Sequence, residues 1–200
     1  MTPSRKSGFT LIEILVACSL LSFLLGGVFL LVQAGLRFLR QGEVQQTVHQ
    51  QAQVASRRLT DELSNSDSGN IYFAADEVMF LSPEQLRNSP NYRLYTFSTG
   101  LLEWHKWVCY YRTANRELHR AEIGIAPITV PPNPAFTLTR PDFEAVVAPL
   151  NSVVARNISR LEITSGAVPQ TFQVTISARG EVNSDQFTEL NLTSTVKLNN

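Results

Sequence analysis

Between residues 9 and 32 the chain runs for 24 residues with one charge, Glu13. As an α-helix rising ~1.5 Å per residue, this stretch is about 36 Å long, enough to cross a ~30 Å hydrocarbon core with some tilt. It is apolar on every face, which sets it apart from the one-sided helices of soluble domains and predicts a membrane span. Glu13 asks for a reason, because a carboxylate inside a bilayer costs roughly 2.5–3.5 kcal/mol on insertion scales. One reading leaves it wet near the helix end, about 6 Å along the axis from Phe9. That reading does not account for a small Gly8, an aromatic Phe9 and an acidic Glu13 falling together behind a short basic leader, Arg5 and Lys6.

A cleaved secretory signal competes with the span, with Val32-Gln33-Ala34 as a small-residue cut site. The apolar core of such a signal covers about 7–15 residues, much less than this run, and rarely holds a Glu. Basic residues flank both ends, Arg37 and Arg40 following the run as Arg5 and Lys6 precede it, so charge alone leaves the orientation open.

Gly8-Phe9-Thr10-Leu11-Ile12-Glu13-Ile14-Leu15-Val16-Ala17 resembles the N-terminal signature of type IV prepilins and of the pseudopilins of type II secretion. The resemblance implies that a prepilin peptidase on the cytoplasmic side cuts between Gly8 and Phe9, and that the new amino group of Phe9 is methylated. It implies that Glu13, at the fifth mature position, pairs with the Phe9 ammonium of a neighbouring subunit during assembly. Electrostatics agrees: two opposite charges, each costly in lipid, are both relieved when they meet, and the pairing fixes the stagger between helices.

The remaining length suits one domain and a helical stalk. Lys+Arg and Asp+Glu each number 17, and removal of the leader would leave 15 basic against 17 acidic groups. This is not the basic excess of a dedicated nucleic-acid binder. Cys18 sits inside the apolar run and Cys109 far out in the polar part, too distant to pair, since a disulfide needs Cα atoms within about 7 Å. Major type IV pilins commonly carry a disulfide loop near the C-terminus, so the resemblance points here to a minor pilin or pseudopilin.

No proline occurs between residues 9 and 81, which permits one long helix. After Val32, the residues Leu36, Leu39, Val44, Val48, Ala52, Ala55, Leu59 and Leu63 recur at mostly three- and four-residue steps, an amphipathic stripe expected to lie on a β-sheet. Ser64-Asn65-Ser66-Asp67-Ser68-Gly69-Asn70 stops the helix with turn formers. From Ile71 the period changes to two. Strands are predicted at residues 71–73, 78–81, 93–98, 157–164, 172–179 and 190–198, with a hairpin formed by 107–112 and 117–122. Residues 127–141 hold five of the ten prolines and read as an extended loop, while residues 143–154 leave a short helix open. The expected class is therefore α+β: a pilin-like fold in which a long N-terminal α-helix, membrane-spanning in its first half, packs by its second half on an antiparallel β-sheet. The domains are a leader at 1–8, a transmembrane helix at 9–32, an amphipathic stalk at 33–64 and a sheet domain at 65–200.

Two later stretches resemble J-type minor pseudopilins of type II secretion and W-type minor pilins: Arg57-Arg58-Leu59-Thr60-Asp61-Glu62-Leu63, and Val108-Cys109-Tyr110-Tyr111 followed by Glu117-Leu118-His119-Arg120. So does the ending Thr195-Val196-Lys197-Leu198-Asn199-Asn200. The resemblance implies a minor subunit that initiates or caps a type II secretion pseudopilus or type IV pilus. Its partners would be prepilin peptidase, other minor and major (pseudo)pilins and the inner-membrane assembly platform. It would be single-pass in the bacterial inner membrane, with its globular domain extracytoplasmic. The alternatives are a competence-type minor pilin aiding DNA uptake and a single-span membrane-anchored binding domain or enzyme.

Catalytic and metal chemistry find little footing. His105 and Cys109 are four apart and His119 could lie across the hairpin, but a metal wants three or four converging ligands with second-shell support. The acidic pairs Asp61–Glu62 and Asp142–Glu144 lack the oxygen-rich loop that calcium takes, and read as a helix terminus and a loop. No G-x-S-x-G and no glycine-rich phosphate loop is present, so no enzyme activity and no cofactor are expected. His49 and the basic flank Arg37, Arg40, Arg57 and Arg58 read as solvated helix faces. Trp104 and Trp107 are equally interface anchors or buried core.

Overall fold

The computed structural model describes residues 10–91, 94–130, 137–183 and 186–199. Its first element is helix α1, Leu11–Ser64, 54 residues long and uninterrupted by Gly26 and Gly27. The chain divides into two compact units, Met1–Glu43 and Val44–Asn200. In the first, every described side chain is exposed, among them Leu11, Phe23, Leu31 and Phe38. α1 is long and apolar enough to cross a membrane, and it is the one such helix among the described residues. Leu36 and Leu39, expected in the buried stripe, are exposed and belong to this unit, so the stripe begins later than the sequence pattern predicts.

In the second unit Val48, Ala52, Ala55, Leu59 and Leu63 are buried at helical spacing, with Val44 packed beside them. The helix stops where the sequence stops it. Ser64 ends α1, and in the turn that follows the Asp67 carboxylate accepts from the Gly69 backbone N–H at 3.1 Å and from the Asn70 amide at 2.6 Å.

The strands are β1 (Ile71–Ala74), β2 (Glu77–Ser82), β3 (Phe97–Ser98), β4 (Leu101–Leu102), β5 (Trp104–Arg112), β6 (Leu118–Ile128), β7 (Asn151–Ala155), β8 (Ile158–Ser165), β9 (Thr171–Asn183) and β10 (Gln186–Lys197), with a short helix α2 (Arg140–Glu144) before β7. All pairings are antiparallel. They form two main sheets where the sequence suggested one: a five-stranded sheet in the order β1-β2-β5-β6-β7 and a three-stranded sheet in the order β10-β9-β8. The chain carries an α+β fold with a pilin-like arrangement, a long N-terminal helix followed by antiparallel sheets.

Alternation along the strands sorts their side chains into two cores. Val78 and Phe80 of β2, Val108 and Tyr110 of β5, and Leu118 of β6 join the helix stripe and the inner faces of β8, β9 and β10 in the main core. Met79, Leu81, Trp107, Cys109, Tyr111 and Ala121 point the other way and are closed off by Phe143 of α2. Trp104 joins this second core because the β5–β6 register shifts between Trp104 and Lys106. An unbroken strand would send residues three apart to opposite faces; the bulge turns both tryptophans to one side. At 5% and 6% exposure they are core residues of this chain rather than surface anchors.

The remaining differences are local. The alternating stretch at 93–98 yields only the two-residue β3, preceded by a single bridge between Glu84 and Tyr95; Arg93 lies outside the described residues. Much of the proline-rich stretch also lies outside them, but Pro127 is inside β6 and Pro141 inside α2. Asp142 and Glu144, read as loop acids, are helical. The Asp142 carboxylate accepts from the Thr139 N–H at 2.7 Å and its hydroxyl at 2.8 Å, and Glu144 pairs with Arg140 at 2.6 Å.

Gly180 of β9 lets α1 approach its sheet closely. A Cβ there would stand 2.5 Å from Val48 Cγ2 and 2.6 Å from Val44 Cγ1, closer than carbon atoms approach. Valine is stiff at χ1 and cannot swing clear, so the helix must move. Gly180→Ala is expected to destabilise the protein by about 1–3 kcal/mol, the usual range for overpacking, seen as a lower denaturation midpoint.

Candidate functional site

The N-terminal turn of α1 is built around Thr10 and Glu13. Thr10 precedes the helix, and its carbonyl accepts from the backbone N–H of Glu13 at 3.1 Å and of Ile14 at 3.3 Å. Glu13 reaches back: its Oε2 accepts from the Thr10 backbone N–H at 2.9 Å and from the Thr10 hydroxyl at 3.0 Å. The Glu13 N–H in turn faces the Thr10 hydroxyl at 3.4 Å. This is a capping box, Thr-x-x-Glu, which satisfies helix-end donors that have no partner within the helix. The acidic group also stands at the helix end where the macrodipole favours negative charge. The Thr10–Glu13 spacing ahead of an apolar run is a local sequence signature of this cap. Gly8 and Phe9 lie outside the described residues.

The chemistry-bearing residues of the second unit do not converge. Among the described residues no group of three or more His, Cys, Asp and Glu side chains is placed to hold a metal ion. His105 lies at the β5 bulge, hydrogen-bonded to the Thr96 hydroxyl and 3.8 Å from Glu103. Burial lowers its pKa below the ordinary imidazole value, partly offset by Glu103. Cys109 is buried in the second core, and burial pushes its thiol well up, away from reactivity. His119 stacks on Tyr111 and faces Asn151 at 3.2 Å and Glu117 at 3.4 Å. Both cysteines are free, Cys18 exposed and Cys109 buried. His49 is exposed and bonded to Gln53 at 2.8 Å.

The feature that sequence reasoning missed is a buried ion cluster on the helix-facing side of the five-stranded sheet. Lys106 of β5 and Arg120 and Glu122 of β6 are fully buried. Arg120 Nε donates to both oxygens of Glu62 on α1, at 2.9 and 2.8 Å, and its Nη1 donates to Glu122 at 3.0 Å. Lys106 Nζ stands 2.8 Å from Glu122, and Arg58 stands 3.7 Å from Glu62. Burial works against the Arg120 charge, but Glu62, Tyr110 and Glu122 outweigh it and hold its pKa above the ordinary value. Arg58 is thus a structural partner of Glu62 rather than a member of a solvated face, whereas Arg57 is exposed. The cluster ties the C-terminal turn of α1 to β5 and β6 by oriented, charge-assisted bonds.

Residues 3–29 match a family described as the prokaryotic N-terminal methylation motif. No curated protein and no solved structure matches the chain. The match spans Arg5 and Lys6, Gly8, Phe9, the capping box and most of the exposed apolar stretch of α1. The motif and the apolar, exposed first part of α1 point to a membrane-anchored chain. More particularly, the motif indicates a type IV pilin or pseudopilin precursor, one of a class that serves structurally rather than catalytically. It implies processing by a prepilin peptidase and assembly with other pilins.

Proposed function

We propose that this protein is a minor pseudopilin or minor pilin, of J type or W type, that initiates or caps a short fibre in the bacterial envelope. The peptidase cuts between Gly8 and Phe9 and releases the leader at 1–8. The Phe9 amino group is methylated. Residues 9–32 hold the subunit in the inner membrane, residues 33–64 form the stalk, and residues 65–200 form an extracytoplasmic domain that meets other minor subunits. Glu13 aligns the incoming subunit by pairing with the Phe9 ammonium of a neighbour.

The observation that carries this reading is the methylation motif over residues 3–29 on the apolar first part of α1, where every described side chain up to Glu43 is exposed. The minor assignment is supported by the two free cysteines, since this domain has no disulfide pair among its described residues. The test is the copy number of the protein in sheared fibres, set beside fibre abundance in cells lacking it. The reading expects a small number of copies per fibre and a sharp fall in fibre number on deletion. A protein as abundant as the major subunit, or a deletion that leaves fibres unchanged, would overturn it.

A further inference from the structure

We infer that residues 83–91 form a strap that latches over the buried ion cluster and opens as a local unit while the sheets stay folded. This goes beyond the assembly role and does not depend on it. The strap leaves β2 at Ser82 and has little strand pairing of its own, the Glu84–Tyr95 bridge being its one ladder contact among the described residues. What fastens it is largely the far side of the cluster. The Arg87 backbone N–H donates to Glu122 Oε1 at 2.5 Å, and Lys106 Nζ donates to the Gln85 carbonyl at 2.9 Å and stands 3.7 Å from Glu84. The Arg87 side chain donates to Ser152 of β7 at 2.8 Å.

Pro83, buried at the start of the strap, and Leu86 add apolar anchorage. Leu86 lies on Gly124 of β6, where a Cβ would stand 2.6 Å from Leu86 Cδ1, so the absence of a side chain at 124 makes the seat. The energetic asymmetry favours local opening. Lys106 and Glu122 are fully buried, and a buried ion carries a desolvation penalty of several kcal/mol that water access relieves. When the strap lifts, Glu122 keeps Lys106 and Arg120, and Arg120 keeps Glu62; the bonds lost are those to the strap alone. Segments with few apolar contacts and replaceable hydrogen bonds occupy the low-stability end of a folded protein. Further along the chain, Phe97 of β3 and Leu101 of β4 are exposed.

Hydrogen exchange read at single amides in the full-length protein in detergent micelles tests this. The Arg87 amide should exchange at least about tenfold faster than the β5 amides of Val108 and Tyr110, the mark of opening below the global limit. Leu86→Ala, which leaves every charge in place, should accelerate Arg87 further and leave β5 unchanged. Glu122→Gln should do the same to Arg87, and if it unfolds the protein, Leu86→Ala alone decides. Exchange of Arg87 at the β5 rate, or a Leu86→Ala variant in which Arg87 is unmoved or both sites accelerate alike, would overturn the strap.

Discussion

Glu13→Val should insert into the membrane as the parent does and be lost from fibres. Removing the carboxylate makes the helix easier to place in lipid by roughly 2.5–3.5 kcal/mol, so insertion should not suffer. What vanishes on the proposed reading is an ion pair across two subunits. At ~4 Å and an effective dielectric of ~20, a unit charge pair is worth about 4 kcal/mol, which corresponds to about a thousandfold in incorporation. The capping box offers a competing explanation, because Glu13 also accepts from the Thr10 N–H and hydroxyl. Loss of a cap costs only about 1 kcal/mol, and Glu13→Gln separates the two. Gln keeps an oxygen that can accept from Thr10 but carries no charge. Recovery in sheared fibres, normalised to the membrane pool, should collapse for both variants. Normal recovery of Glu13→Gln would reduce Glu13 to a helix cap.

Arg120→Met should be the most damaging single change in the sheet domain, at about 3–5 kcal/mol. The cost is that of stranding charge rather than losing attraction. Glu62 would lose the guanidinium that bonds both its oxygens and be left with Arg58 at 3.7 Å, while Glu122 would keep Lys106 at 2.8 Å. The measurement is the denaturation midpoint of the full-length protein in micelles, followed by the fluorescence of Trp104 and Trp107, both buried in the second core. Glu62→Met placed on top of Arg120→Met should recover part of the loss, because it removes the orphaned acid; contacting residues are not expected to be additive. A loss below about 1 kcal/mol for Arg120→Met would mean that water already reaches the cluster.

Much of the fold is legible in the sequence because its signals are local. The apolar run, the stripe from Val44 to Leu63 and the turn formers after Ser64 each report on neighbours three or four residues away. The strands at 71–73, 78–81, 157–164, 172–179 and 190–198 announce themselves by a period of two, and all fall within or across observed strands. What the sequence hides depends on register. The bulge at His105 takes Trp104 out of alternation, and nothing in Trp104-His105-Lys106-Trp107 signals it. Glu62 and Arg120 are 58 positions apart, and each alone looks like a surface residue; only the packing of α1 over β6 turns them into a pair. The capping box was legible, since Thr-x-x-Glu before an apolar run is a local signature.

On the proposed function, assembly depends on one chemical event, a cut between Gly8 and Phe9, because without it Glu13 has no ammonium to meet. The mature N-terminus of the protein, taken from the membranes of its own cells and read by mass spectrometry, tests that event directly. The mature chain should begin at N-methylated Phe9 and lack residues 1–8. An intact Met1, or a chain that begins beyond Ala34, would contradict it.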